Sequence, residues 1–143
     1  MKKRFTAGVL LAIFTFLFLE TEYLFVNIMS AFSSSQQAVS AQGIVLGVSV
    51  IGFLLYALFH RIKSAFVKRV VTVMFPLVMA VCLFFLYEAD SYAICLFVGG
   101  VVFVLLGLFG SALHYHALFY VGRDSHLALL IGVAYALGLL FQF

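Results

Sequence analysis

The chain has 143 residues, 66% of them hydrophobic and only 9% charged, with a mean hydropathy of +1.27. So little polar surface excludes a water-soluble globular domain. The formal charge of +3 is explained by where the basic residues fall between apolar runs, so it gives no argument for nucleic-acid binding. Apolar segments lie near 5–32, 43–59, 70–87, 92–121 and 126–143, separated by SSSQQAVSAQ, HRIKSAFVKR, EADS and GRDS. Runs of about 20 apolar residues are long enough to cross roughly 30 Å of hydrocarbon as helices. They are continuous and lack the alternation of barrel strands. The expectation is an all-α integral membrane protein: residues 1–143 as a single transmembrane helical domain, a bundle of about five transmembrane helices.

The first segment, MKKRFTAGVLLAIFTFLFL, has the basic start and apolar core of a secretory signal peptide. Against that reading, apolar character resumes after Glu22 with YLFVNIM, and the only small-residue site, VSA at 39–41, lies far downstream. A spanning helix interrupted by Glu20 and Glu22 is the better reading. Counted from Arg4, the two carboxylates stand roughly 24 and 27 Å up an untilted helix, in the outer third of the bilayer. At helical spacing Glu20 shares a face with Tyr23, Asn27 and Ser30, whereas Glu22 shares its face with Phe18, Val26 and Met29. Two readings stay open for Glu20: an outer polar cavity lined by that stripe, or simple anchoring at the headgroups.

In the second segment Gly43 and Gly47 form a GxxxG face suited to close helix packing. The third contains Thr72, Pro76 and Cys82 and no ionisable group inside its span, so it is expected to face lipid. Cys82 and Cys95 lie in different segments without paired spacing and read as small core residues; no metal site, redox motif or cofactor is expected.

The fourth segment holds GLFGSALHYHALFY. Gly107, Gly110, Ser111 and His114 share one side of a helix, with Gly100 further back, and small residues there let a neighbour approach. His114 lies about 13 Å from Arg123, near mid-membrane. His116 points elsewhere, so HYH does not offer two imidazoles to one metal. His114 is read either as a hydrogen-bonded packing residue or as a proton-exchanging group facing a polar cavity, since imidazole changes charge near neutral pH. The fifth segment carries a small-residue stripe at Ala128, Gly132 and Ala136. It stops at Phe143 while still apolar, which is the pattern of a chain truncated at its C-terminus.

Orientation follows from the bases. Lys2, Lys3 and Arg4 precede the first segment, Arg61, Lys63, Lys68 and Arg69 follow the second, and Arg123 follows the fourth. All fall on one side, so the N-terminus is expected in the cytoplasm, with SSSQQAVSAQ and EADS outside. With no Trp in the chain, Tyr87, Tyr92 and Tyr120 are placed for the interfacial belt.

Together a long first helix with embedded polar groups, a basic loop after the second, a bland third and a glycine-rich fourth resemble the first half of a major facilitator superfamily transporter. In GFLLYALFHRIKSAFVKR, Gly52, Leu54 and the bases match that family's signature after the second helix; Tyr56 stands at its Asp position and its later Gly is absent. The resemblance implies five of the six helices of one half. It also implies first and fourth helices lining a cavity, a third helix outside, and alternating-access movement of an unknown small solute. The closing ALFYVGRDSHLALLIGVAYALGLLFQF is also similar to the facilitator-like membrane portions of LuxR-type regulators, which implies a sensor as the alternative. A small accessory membrane protein is a third reading. No nucleophile, base and orienting residue assemble into an enzyme site. The expected partners are the lipid bilayer of a bacterial cytoplasmic membrane, missing C-terminal helices of the same chain and a small-molecule ligand, with no nucleic acid.

Overall fold

The computed structural model describes the backbone of residues 2–121 and 126–142 and, within them, all side chains except those of residues 2–4, 68, 69, 72, 120, 121 and 126. The described residues are helical apart from short turns, in the order α1 (Lys2–Ser30), α2 (Ser35–His60), α3 (Ala65–Tyr87), α4 (Tyr92–Val121) and α5 (His126–Leu140). Among them, Phe5–Ser30, Ser35–His60 and Tyr92–Phe119 are long and apolar enough to cross a membrane, while Val73–Tyr87 and Leu127–Leu140 are shorter apolar stretches.

Two boundaries differ from the sequence expectation, and both are set by serine caps. α2 begins at Ser35, eight residues before the apolar run at 43, so most of SSSQQAVSAQ is helix. The Ser34 hydroxyl accepts from the Gln37 backbone N–H at 3.4 Å, and the Gln37 side-chain oxygen accepts from the Ser34 N–H at 3.1 Å. This reciprocal box satisfies two donors that a helix start leaves bare, so polar residues can begin the helix. At the next turn the Ser64 hydroxyl accepts from the Val67 N–H at 3.4 Å, and α3 starts at Ala65. Lys68 and Arg69 therefore stand in α3 rather than in a loop; their side chains lie outside the described residues, as do those of Lys2, Lys3, Arg4 and Tyr120 and the whole of Arg123. Arg61 and Lys63 are exposed.

The helices form two compact units, residues 1–23 with 110–143, and residues 24–109. In the first, α1 turns Ala7, Leu11 and Phe14 inward at spacings of four and three, the repeat of one helix face. Leu11 is buried with Ala7, Ala12, Ala117 of α4 and Ala134 of α5, and Leu113, Leu130 and Ile131 pack around them. Four alanines in that cluster bring backbones together. Gly138 is closer still: a Cβ there would sit 2.6 Å from Thr15 Cβ and 2.9 Å from the Ala12 carbonyl oxygen.

In the second unit α2 buries Ala38, Ala41, Val45, Ser49, Gly52 and Tyr56, again one face. It meets α4 through two glycines. A Cβ on Gly52 would collide with the Val104 carbonyl oxygen and lie 2.7 Å from the Leu108 nitrogen, and a Cβ on Gly107 would collide with the Ser49 carbonyl oxygen. Phe25 of α1 packs edge-on against Phe103 of α4, centroids 6.0 Å apart, and its ring covers the space a side chain at Gly99 would need. α3 touches α4 through stacked Phe75 and Phe109, 5.1 Å apart. Much of it is uncovered, with Phe66, Val73, Leu77, Val81 and Phe84 each more than half exposed, although Leu86 near its end is fully buried. A surface of that kind is unsuited to water and calls for lipid or another protein surface against it.

Candidate functional site

α4 carries His114 one turn beyond Gly110. Its Nδ1 lies 2.6 Å from the carbonyl oxygen of that buried glycine. The other ring nitrogen, Nε2, lies 2.5 Å from the hydroxyl of Tyr135 on α5. From α1, Phe14 presents its ring edge-on to the imidazole, centroids 6.4 Å apart at 89°. Three helices of the first unit thus meet at one imidazole, and the unit's alanine cluster brings them close enough to do so.

The two bonds fix the proton. A carbonyl oxygen can only accept, so Nδ1 carries the hydrogen. In the neutral ring Nε2 is then the acceptor, and the Tyr135 hydroxyl donates to it.

The other singled-out residues are spread more widely. Glu20 is half-buried, six residues and roughly 9 Å along α1 from Phe14. Between the two half-buried glutamates, Thr21 is buried and its hydroxyl donates to the Leu17 carbonyl at 2.8 Å. Tyr23, 63% exposed, and Asn27 continue the stripe on an uncovered side of α1, and the Ser30 hydroxyl donates to the Val26 carbonyl. Ser111 is half-buried beside Gly110, and His116 is exposed. Of the packing glycines, Gly107 sits against α2 backbone and Gly110 is buried, whereas among the described residues a Cβ on Gly43, Gly47, Gly100 or Gly132 meets no heavy atom within 4 Å. Ala128 and Ala136 are exposed with Gly132; the face of α5 that packs carries Ala134 and Gly138. Gly52, Leu54 and Tyr56, the residues matched to the facilitator signature, lie inside α2, with Gly52 and Tyr56 buried.

Sequence reasoning missed Tyr135, Phe14 and Gly138, and it singled out Gly52 only as part of the facilitator signature and not for its packing against α4. For Tyr135 a signal existed: it is the only residue of Leu127–Leu140 whose side chain carries a polar atom. No protein-family model, no curated protein and no solved structure matches this chain.

Proposed function

We propose that the chain is a facilitator-type bundle in which all five helices cross a bacterial cytoplasmic membrane, N-terminus inside, and that it takes part in moving a small solute by alternating access, with His114 handling a proton. In this reading the partner helices are further segments of the same polypeptide. The observation that carries the proposal is the imidazole of His114, held between α4 and α5 by Tyr135 and the Gly110 carbonyl within an apolar unit. An ionisable group in such surroundings is costly and is kept where ions or protons move. The exposed α3 and the polar stripe of α1 support the same arrangement.

The test uses the full-length protein in liposomes loaded with a pH-reporting dye and challenged with sugars, amino acids, organic acids and organic cations in turn. The expected outcome is proton movement driven by one solute class, reduced at least about tenfold by His114→Ala. Solute binding without any flux points to the sensor alternative, and neither binding nor flux with any class removes the proposal.

A further inference from the structure

The two hydrogen bonds of His114 are not equivalent when the ring takes up a proton. Nδ1 is already protonated and keeps its bond to the Gly110 carbonyl, so an incoming proton must go to Nε2. There it meets the Tyr135 hydroxyl, which in the neutral state donates to that same nitrogen. Two hydrogens cannot occupy one bond, so the hydroxyl must turn and accept instead.

We propose that Tyr135 completes His114 as a reversible proton site: protonation of Nε2 turns the His114–Tyr135 hydrogen bond around and frees the tyrosine O–H, its bond intact, to donate to an outside acceptor. Protons balance, since one enters on Nε2 and the hydroxyl keeps its own. Tyr135 is 38% exposed, so its side chain is not fully enclosed. The protonated pair therefore presents a hydrogen-bond donor beside a positive ring, which suits a solute group that accepts hydrogen bonds or carries negative charge. Proton and solute acceptor would then bind together.

α5 has no charged residue in Leu127–Leu140, and α1 has no ionisable side chain from Phe5 to Leu19. The first carboxylate along α1, Glu20, lies roughly 9 Å beyond the level of Phe14. On α4, His116 is two residues away, roughly 200° around the helix, and exposed. Tyr135 is thus a positioning residue: it donates to Nε2 of the neutral ring and accepts the reversed bond.

This rests on the proton-handling reading of His114, but it is tested without any solute, so its failure is distinct from an absence of flux. The full-length protein, with histidine labelled with nitrogen-15 and tyrosine with carbon-13, is examined in lipid vesicles by solid-state magnetic resonance. His114 and Tyr135 are assigned by loss of signal in His114→Asn and Tyr135→Phe. Expected at alkaline pH is a protonated Nδ1 with a hydrogen-bonded, unprotonated Nε2; on acidification both nitrogens protonate and the Tyr135 ring carbon bearing oxygen shifts in step. In His114→Asn that tyrosine shift disappears, and in Tyr135→Phe the alkaline spectrum keeps a protonated Nδ1 while the Nε2 signal moves to that of a nitrogen without a hydrogen bond. A protonated Nε2 at alkaline pH, or a Tyr135 signal indifferent to His114 protonation, overturns the proposal. Both decisive signals are read in the unmutated protein, and where a variant fails to fold, a direct through-space contact between the labelled His114 ring nitrogen and Tyr135 ring carbon makes the assignment instead.

Discussion

Glu20 and Glu22 are two residues apart, yet the structure gives them different company. Glu20 begins a side of α1 that continues through exposed Tyr23 and Asn27, while Glu22 shares its face with Val26 and the fully buried Met29. If water reaches from that polar side toward His114, removing the Glu20 charge must alter proton movement. Glu20→Gln, which keeps size and hydrogen bonding, is expected to change the pH dependence of solute-driven flux, and Glu22→Gln to change it less. Equal tolerance of both changes leaves headgroup anchoring as the role of the carboxylates. His114 was legible in the sequence because an imidazole in an apolar run has no cheap explanation. Tyr135 was not, because a tyrosine in a membrane segment is ordinarily read as part of the interfacial belt, and only the meeting of α4 and α5 shows what its hydroxyl touches.

Helix number and order could be read from hydropathy, but helix ends and contact faces could not. The early start of α2 depends on Ser34 and Gln37, a signal of four residues that polar composition hides. For packing, GxxxG spacing pointed to Gly43 and Gly47, whereas α2 meets α4 at Gly52 and Gly107. Spacing identifies a face able to pack; it does not identify which such face a neighbour chooses. The choice is testable. An added methyl at Gly52 or Gly107 runs into backbone, which cannot rotate away, so Gly52→Ala or Gly107→Ala is expected to cost about 1–3 kcal/mol through overpacking. At Gly47 the same change meets open space and gains helix propensity, up to about 1 kcal/mol. Thermal midpoints in one mild detergent should therefore fall for the first two variants and hold or rise for the third. A loss at Gly47 that matches the loss at Gly52 contradicts this packing.

The number of membrane crossings turns on α3 and α5. The apolar run 70–87 of α3 is roughly 27 Å long at 1.5 Å per residue, close to a hydrocarbon core of roughly 30 Å, whereas α5, His126–Leu140, is only roughly 22 Å long. Such a shortfall is met by local thinning of the bilayer or by flanking side chains that reach the interface, at a modest cost for each Å. Charge decides which arrangement bears that cost better. With five crossings and the N-terminus inside, Lys2 to Arg4, Arg61 to Arg69 and Arg123 all face the cytoplasm, and Glu88 and Asp90 face outward. With only α1, α2 and α4 crossing, the turn at 88–91 stays inside and Arg123 is carried across, against the bias of short loops. Reporters fused after Ser33, Lys63 and Asp90 separate the two cases. Five crossings predict alkaline phosphatase activity after Ser33 and Asp90, and green fluorescence after Lys63. Fluorescence after Asp90 instead removes α3 from the crossings, and phosphatase activity after Lys63 reverses the orientation on which the placing of Glu20 in the outer third depends.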